Sequence, residues 1–221
     1  IVAMAADGPH TWIMINALRK EFGDFPIILE EGEPANTFWK RRMKMLGPIK
    51  VASMQAARIP IKLTKGRTQQ VIDDMIAEHE LNPNMPDAEH IVRVPSPNSQ
   101  PAREALMKFN PKAVFVINSR MIGKKTLNAI DAPFINYHSG INPAYRGMYG
   151  GYFALANGEP EHFGATVHLV DEGVDSGPIL AQMEVEVRPE DDEGALQERV
   201  KVVEHVVYPD VLDRICSGLI S

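Results

Sequence analysis

This sequence of 221 residues lacks several features that would place it in a special class of proteins. It has one cysteine, Cys216, so no internal disulfide is available and a reducing compartment is expected. No apolar run approaches the ~18 residues needed to span a bilayer. The start, Ile-Val-Ala-Met-Ala-Ala, lacks a basic leader and is too short for a signal peptide. We therefore expect a cytoplasmic protein with no membrane partner.

Basic residues are too few for a nucleic-acid-binding surface. The chain carries 23 Lys and Arg against 29 Asp and Glu, a net charge of −6. Binding to a phosphate backbone needs clustered basic residues. The local basic run of Lys40, Arg41, Arg42 and Lys44 favours a solvated helix face. We therefore predict no nucleic-acid partner.

A Gly-x-Gly-x-x-Gly motif is also missing after the first predicted strand, where a nicotinamide dehydrogenase would carry it. The turn found there, Asp7-Gly8-Pro9, has a single glycine, an acidic residue and a proline without an N–H donor. We expect Thr11 to cap the helix that follows. A strong phosphate site at this turn is not expected, although helix N-termini often bind phosphate.

Apolar runs alternate with helical patterns through the first half of the chain. The predicted strands are Ile1–Ala6, Phe25–Leu29, Ile91–Val94, Ala113–Asn118, Phe134–His138, Ala165–Val170 and Ile179–Val187. The predicted helices are one after Thr11 with Ile13, Ile15, Leu18 and Phe22 on its apolar side, then Pro34–Leu46, Gln69–Leu81 and Gln100–Phe109, and Glu193–Cys216 is predicted as a helix or a helix pair. Alternating strands and helices predict an α/β fold, a Rossmann-like, mostly parallel sheet with helices on both faces. No segment has the composition of a linker, so a single domain over 1–221 is expected.

The unusual part of the sequence is Asn136–Gly177, where polar residues lie at the ends of apolar strands. In open α/β sheets, ligands bind outside the carboxyl ends of the strands. Asn136 and His138 are two apart in a strand, so they share a face, and an amide N–H beside an imidazole can stabilise an oxyanion. Asp175 can orient or charge His138 and raise its pKa. Each residue alone is equally compatible with a structural role, but together they favour a catalytic site.

This segment resembles the folate-dependent formyltransferases: glycinamide ribonucleotide transformylase, the catalytic domain of methionyl-tRNA formyltransferase, and the amino-sugar N-formyltransferases. Their shared pattern is Asn-x-His, a Pro and a Gly shortly after it, a Thr-x-His strand, and Asp-x-Gly. The matching residues here are Asn136 and His138, Pro143, Gly147, Thr166 and His168, and Asp175 and Gly177. The spacing holds across some forty residues, which makes the resemblance specific.

The resemblance implies an enzyme with the formyltransferase fold that moves a formyl group from 10-formyltetrahydrofolate to a primary amine. The implied acceptor is a small molecule, either a nucleotide-linked amino sugar or a compound like glycinamide ribonucleotide. Asn136 and His138 would hold the oxyanion, while Asp175 would keep His138 protonated and relay the amine proton through water. The implied folate-binding residues are Arg120, Met121, Ile122, Asp171, Glu172, Gly173 and Val174, and the implied acceptor-binding residues are Tyr145, Arg146 and His168.

Two other interpretations of the same residues stay open at this point. An oxyanion site serves water as well as an amine, so hydrolysis of 10-formyltetrahydrofolate is one alternative. A metal hydrolase with His138, His168 and Asp175 as zinc ligands is the other, although no metal is expected. A non-enzymatic binding module has no use for the Asn, His and Asp set. The sequence leaves the oligomeric state open, with a homodimer among the alternatives.

Overall fold

We describe the fold from a computed structural model, for residues 1–49, 80–87, 91–147 and 150–188 and for positions 52, 73, 74, 76, 77, 89, 214 and 217. These residues divide into two compact units. One consists of Ile1–Glu31 and the described residues from Leu81 onward, and the other lies within Gly32–Glu80. The single domain over 1–221 stays a prediction.

The described elements follow the predicted order closely. They are β1 (Val2–Ala6), α1 (Pro9–Phe22), β2 (Ile27–Glu30), α2 (Ala35–Leu46), β3 (Ile91–Val94), α3 (Gln100–Phe109), β4 (Val114–Ile117), α4 (Lys124–Leu127), β5 (Phe134–His138), α5 (Gly150–Ala156), a 3-10 turn (Pro160–His162), β6 (Gly164–Leu169) and β7 (Ile179–Glu184). Two predicted helices, Gln69–Leu81 and Glu193–Cys216, fall largely outside the described residues.

Within the described residues, the strands form a seven-stranded sheet in the order β3-β2-β1-β4-β5-β6-β7. The first four pairs in this order, β3 with β2, β2 with β1, β1 with β4 and β4 with β5, are parallel. The last two pairs, β5 with β6 and β6 with β7, are antiparallel. The predicted α/β class with a mostly parallel sheet is therefore confirmed.

Buried clusters cover both faces of the sheet, and the short strand β1 shows why. Successive side chains of a strand point to opposite faces. Ala3 and Ala5 pack in a cluster with residues of α1, whereas Val2 and Met4 pack in a cluster with residues of α3. The predicted helices on both faces are confirmed. Because both faces are covered, the residues of β1 are apolar throughout rather than alternating.

Helix α1 begins at Pro9 after Gly8, so the predicted cap at Thr11 is wrong. Proline is favoured in the first turn of a helix because its missing N–H is not needed there. Thr11 lies buried in the first turn, and its hydroxyl accepts a hydrogen bond of 3.1 Å from Asn118 Nδ2. This bond joins the start of α1 to the residue that follows β4.

Replacing Phe115 by Ala should lower the free energy of unfolding by about 3–5 kcal/mol, the usual cost of deleting a large buried side chain. Phe115 is fully buried in β4 and meets Phe25 edge-on, with ring centroids 6.3 Å apart. Urea denaturation followed by circular dichroism measures the loss. Met107→Ala, on the exposed side of α3, is the matched control and should cost at most about 0.5 kcal/mol. Equal losses in the two variants would contradict the central position of β4.

Candidate active site

A cavity of about 610 Å³ lies where β4 and β5 end. Its walls come from the segment after β4, from β5, and from the loop between β6 and β7. The predicted site residues that line it are Arg120, Met121, Ile122, Asn136, His138, His168, Asp171, Gly173, Val174 and Asp175. This is the edge at which open α/β sheets bind ligands.

Strand register brings the polar side chains of this cavity together. Asn136 and His138 occupy alternate positions of β5 and project from the same face. In the antiparallel neighbour β6, His168 pairs with Asn136 and Thr166 pairs with His138. Directly opposed residues in such a pair have closely spaced side chains. The structure therefore places His168 beside Asn136, a pairing that the spacing along one strand does not reveal.

The Asp175 carboxylate contacts three of these side chains, those of Asn136, His138 and His168. Its Oδ1 is 3.4 Å from His168 Nε2 and accepts from Asn136 Nδ2 at 3.4 Å. Its Oδ2 is 3.5 Å from His138 Nδ1 and accepts from the Gly147 amide at 3.0 Å. The residue has a left-handed backbone with φ of 46°, which aspartate tolerates better than most residues. One carboxylate thus joins both histidines and the asparagine.

Asp175 and His168 shift each other's ionisation. The hydrogen bond from His168 is the main cause that lowers the pKa of Asp175, and the charge of His138 and the Gly147 amide act in the same direction against burial. Burial disfavours a charged His168, but its hydrogen bonds to Asp175 and to the Leu169 carbonyl outweigh burial and raise its pKa. That carbonyl lies 2.8 Å from His168 Nδ1 and can only accept, so Nδ1 carries a proton. Asp175, predicted to act on His138, has His168 as a second partner.

The second ring nitrogen of His138 is held by the chain that follows β5. Its Nε2 lies 2.9 Å from the Tyr145 carbonyl oxygen, which accepts the hydrogen bond. Gly140 lies next to this bond, and a Cβ there would be only 2.7 Å from both the imidazole nitrogen and the carbonyl oxygen. Position 140 therefore has no room for a side chain while this bond exists.

A buried polar network supports the loop that carries Asp175. Asn142, 3% exposed, donates from Nδ2 to the Asp175 carbonyl at 3.0 Å and from its backbone to Thr166 Oγ1 at 3.1 Å. Gln182 donates to the Asn142 carbonyl at 2.7 Å, and Thr166 donates to the Gly140 carbonyl at 2.7 Å. Sequence reasoning missed Asn142 and Gln182. The sequence indicates neither role clearly, because Asn142 is simply a polar residue before a proline and Gln182 is a polar residue in an alternating strand.

The predicted folate-binding loop is shaped by its own carboxylate. Asp171 accepts from the Gly173 amide at 3.0 Å and from Ser176 Oγ at 2.8 Å. Glu172 pairs instead with Lys124 at 2.8 Å on the exposed surface and is not among the cavity residues. This ion pair is the main reason that the pKa of Lys124 is raised.

The predicted acceptor residues Tyr145 and Arg146 do not line the cavity. The Tyr145 hydroxyl donates to Glu159 Oε2 at 2.6 Å and accepts from Asn157 Nδ2 at 3.0 Å. The bond to Glu159 raises the pKa of Tyr145. The Arg146 side chain is exposed. Their predicted contact with an acceptor stays a prediction.

Several cavity residues were not predicted from the sequence: Val116, Asn118, Ser119, Tyr137 and Val170. For Asn118 and Ser119 a signal exists, since two polar residues directly follow the apolar strand β4. The sequence does not indicate Tyr137 as a cavity residue, because it lies between Asn136 and His138 in β5 and its side chain is expected on the opposite face of the strand.

Two other features can be stated only for the described part of the chain. Within it, no group of three or more His, Cys, Asp or Glu side chains is arranged to hold a metal ion. Over the same residues, no helix has the length and apolar character required to cross a membrane.

Known proteins match this chain in sequence. The formyl transferase family model matches residues 54–212. Methionyl-tRNA formyltransferase of Thermodesulfovibrio yellowstonii is 34% identical over 117 residues, which are 52% of this chain and 38% of that protein. Phosphoribosylglycinamide formyltransferase of Mycobacterium tuberculosis is 47% identical over 85 residues, 38% of this chain and 39% of that protein. The matches span about two fifths of the length of these relatives.

A solved structure matches the whole fold. Phosphoribosylglycinamide formyltransferase from Bacillus halodurans aligns with a TM-score of 0.59 at 22% identity. The alignment covers 99% of this chain and 96% of that chain. The likeness establishes the same fold for the two proteins.

Replacing Asp175 by Asn should lower the pKa of His168, because the amide keeps the shape of the carboxylate but removes its charge. The wild-type pKa of His168 is raised, so the contact between His168 and Asp175 stabilises the folded protein at pH values below the ordinary histidine pKa. That contribution is lost as the pH rises through the folded-state pKa of His168. On the acid side it is lost as the pH falls through the lowered pKa of Asp175. Titration of the imidazole resonances by NMR measures the shift.

The control for this titration is Glu159→Gln, which removes a carboxylate beside a different histidine, His162. It should leave the pKa of His168 unchanged. An unaltered pKa of His168 in Asp175→Asn would show that the carboxylate does not control this imidazole.

Proposed function

Because the chain belongs to the formyl transferase family, we propose that it transfers a formyl group from 10-formyltetrahydrofolate to a primary amine of a small molecule. Members of this family take the formyl group from 10-formyltetrahydrofolate. The observation that carries the proposal is the convergence of Asn136, His138 and Asp175 on one cavity. The single cysteine supports the cytoplasm as the proposed location.

The cavity suits the flat head group of a folate. Its volume of about 610 Å³ lies in the range of small-molecule sites. Apolar walls are provided by Val116, Ile122, Val170 and Val174. Backbone from the segment after β4 lies beside them, so a ring with apolar faces and a hydrogen-bonding edge finds both kinds of partner. We propose that this segment and the loop around Val174 hold the donor.

Asn136 and His138 are the proposed partners of the charge that develops on the formyl oxygen. The bound donor supplies the formyl carbon: the amine nitrogen bonds to that carbon, the bond to the folate nitrogen breaks, and the amine proton ends on the folate nitrogen. Asn136 Nδ2 lies 3.2 Å from His168 Nε2 and 3.4 Å from Asp175 Oδ1, and His138 Nδ1 lies 3.5 Å from Asp175 Oδ2. Contacts this long are weak hydrogen bonds, so a developing oxyanion competes well for these donors.

Asp175 acts mainly through its charge in this proposal. A carboxylate with a lowered pKa is a weak general base, because proton transfer is most efficient when the pKa lies near the working pH. Its negative charge instead lies beside His138 and orders a water that relays the amine proton. His168, only 2% exposed, contacts Asp175. We therefore propose His168 as a positioning residue for Asp175 rather than as an acceptor contact.

The turn after β1 bears on the choice of acceptor. The exposed Asp7 accepts a hydrogen bond of 3.0 Å from the Trp12 indole and adds negative charge at the start of α1. Pro9, at the first helical position, has no N–H to offer. A phosphate at this turn would therefore meet a negative charge and lack one backbone N–H donor. We propose a nucleotide-linked amino sugar ahead of a ribonucleotide whose phosphate would have to bind here.

Asn136→Ala and His138→Ala should each slow turnover by ~100-fold or more, the usual loss when one oxyanion donor is removed. The KM for 10-formyltetrahydrofolate should change little, since neither side chain is a proposed donor-binding group. Steady-state release of tetrahydrofolate measures both values. Asn84→Ala, in an exposed turn after Asn82, is the matched asparagine control and should keep the wild-type rate. Near-normal turnover of His138→Ala would contradict the mechanism.

An amine panel tests the reaction itself. Tetrahydrofolate release from 10-formyltetrahydrofolate should require an added amine, produce the N-formyl product, and survive exhaustive chelation. An amino-sugar nucleotide and glycinamide ribonucleotide are the two informative acceptors. Equal release without any amine would identify a hydrolase. Loss of activity on chelation, with recovery when zinc is added, would identify a metal enzyme and contradict the proposal.

A further inference from the structure

We propose that Glu30 and Asn98 are positioning residues that clamp residues 119–123, the donor segment, in the conformation that binds the folate donor. This inference rests on the proposed function. The donor segment follows β4 and contributes Ser119 to Ile122 to the cavity lining. It is neither helix nor strand. Other contacts must therefore hold its backbone in place.

Glu30 holds the first half of the donor segment from the end of β2. It is 4% exposed, and its Oε1 accepts from the Arg120 backbone N–H at 2.8 Å while its Oε2 accepts from Arg120 Nε at 2.6 Å. Arg120 Nη2 also donates to the carbonyl oxygens of Glu31 at 2.9 Å and Pro95 at 2.8 Å. Charge-assisted bonds of this kind are among the stronger ones in proteins. The Nε and Nη2 atoms of Arg120 are thus engaged in holding its own segment in place.

Asn98 holds the second half of the donor segment from the loop before α3. Its Nδ2 donates to the Met121 carbonyl at 2.8 Å, and its Oδ1 accepts from the Gly123 amide at 2.6 Å. Asn98 is itself fixed, since its backbone accepts from Arg103 at 2.7 Å and donates to Ser96 Oγ at 3.1 Å. One side chain therefore bonds the backbone at two points on either side of Ile122.

The two clamps leave the middle of the donor segment available to a ligand. In the part of the chain that the structure describes, the N–H groups of Met121 and Ile122 and the Ile122 carbonyl have no hydrogen-bonding partner. A ligand that binds a pre-ordered backbone loses less entropy than one that must order it. Loss of a clamp should therefore weaken donor binding and leave the chemical step nearly unchanged.

Asn98→Ala is the main test, because Asn98 is exposed and its loss is not expected to unfold the chain. Binding of 5-formyltetrahydrofolate by calorimetry should weaken by roughly tenfold, since two hydrogen bonds that order the site are lost. Amide exchange measured by NMR should accelerate at Gly123 but not at Arg120. The kcat at saturating donor should stay within about twofold of wild type, as for a change in binding alone.

Glu30→Gln gives the reciprocal result and Gln100→Ala is the control. The side-chain amide introduced by Glu30→Gln has a single acceptor oxygen, so it cannot satisfy both Arg120 donors. Donor affinity should fall, and exchange should accelerate at Arg120 but not at Gly123. Gln100 lies two residues from Asn98 and its side chain donates to Glu104 at 2.8 Å, so Gln100→Ala should bind 5-formyltetrahydrofolate like wild type. If Glu30→Gln fails to fold, Asn98→Ala decides alone.

The outcomes separate this inference from the proposed function. Faster exchange in Asn98→Ala with unchanged affinity would show a purely structural role and overturn the inference alone. A reduced kcat with unchanged affinity would overturn it as well. Failure of the wild-type protein to bind 5-formyltetrahydrofolate would overturn the proposed function and, with it, this inference.

Discussion

The carboxylate of Asp175 has to be satisfied by partners from three different parts of the chain. A half-buried negative charge without partners costs several kcal/mol, so the loop that carries it is stable only where those partners meet. They are Asn136 and His138 from β5, His168 from β6 and the Gly147 amide from the connection between them. The left-handed backbone of Asp175 and the bond from Asn142 to its carbonyl are compatible with these contacts of the side chain. The loop conformation is thus determined by charge as much as by packing.

The parallel and antiparallel parts of the sheet contribute different groups to the site. The parallel part ends in the donor segment, whose contribution to the cavity is largely backbone held by Glu30 and Asn98. The antiparallel part, β5 with β6, supplies ionisable and amide side chains in register. Backbone held from outside provides shape, whereas paired side chains provide charge. Under the proposed function, a change in the parallel part would alter donor binding, and a change in the antiparallel part would alter stabilisation of the reacting atoms.

Local signals explain which features the sequence predicted. β3, α3 and β5 have the predicted bounds, because an apolar run or an amphipathic period identifies each of them. The shared face of Asn136 and His138 needed only the two-residue period of a strand. The start of α1 was missed because Pro9 competed with Thr11, and both residues are favoured near helix starts.

Features that depend on distant residues did not follow from the sequence. Glu30 and Arg120 are 90 residues apart, and no local pattern links a carboxylate at the end of one strand to an arginine after another. The contact of His168 with Asp175 requires the antiparallel register of β5 and β6, which the sequence of either strand alone does not specify. The bond from the Tyr145 hydroxyl to Glu159, in a separate turn, is likewise not indicated by the sequence around either residue.

The register of β6 also limits how this chain can change in length. One residue inserted between Thr166 and His168 would turn His168 to the opposite face and remove a partner of Asp175. The pairing of β6 with the outer strand β7 already contains an irregularity, since Val167 pairs with Ala181 while His168 pairs with Ile179. The extra residue lies in β7, where a bulge leaves the inner strand undisturbed. An inserted residue therefore disturbs the site less in β7 than in β6.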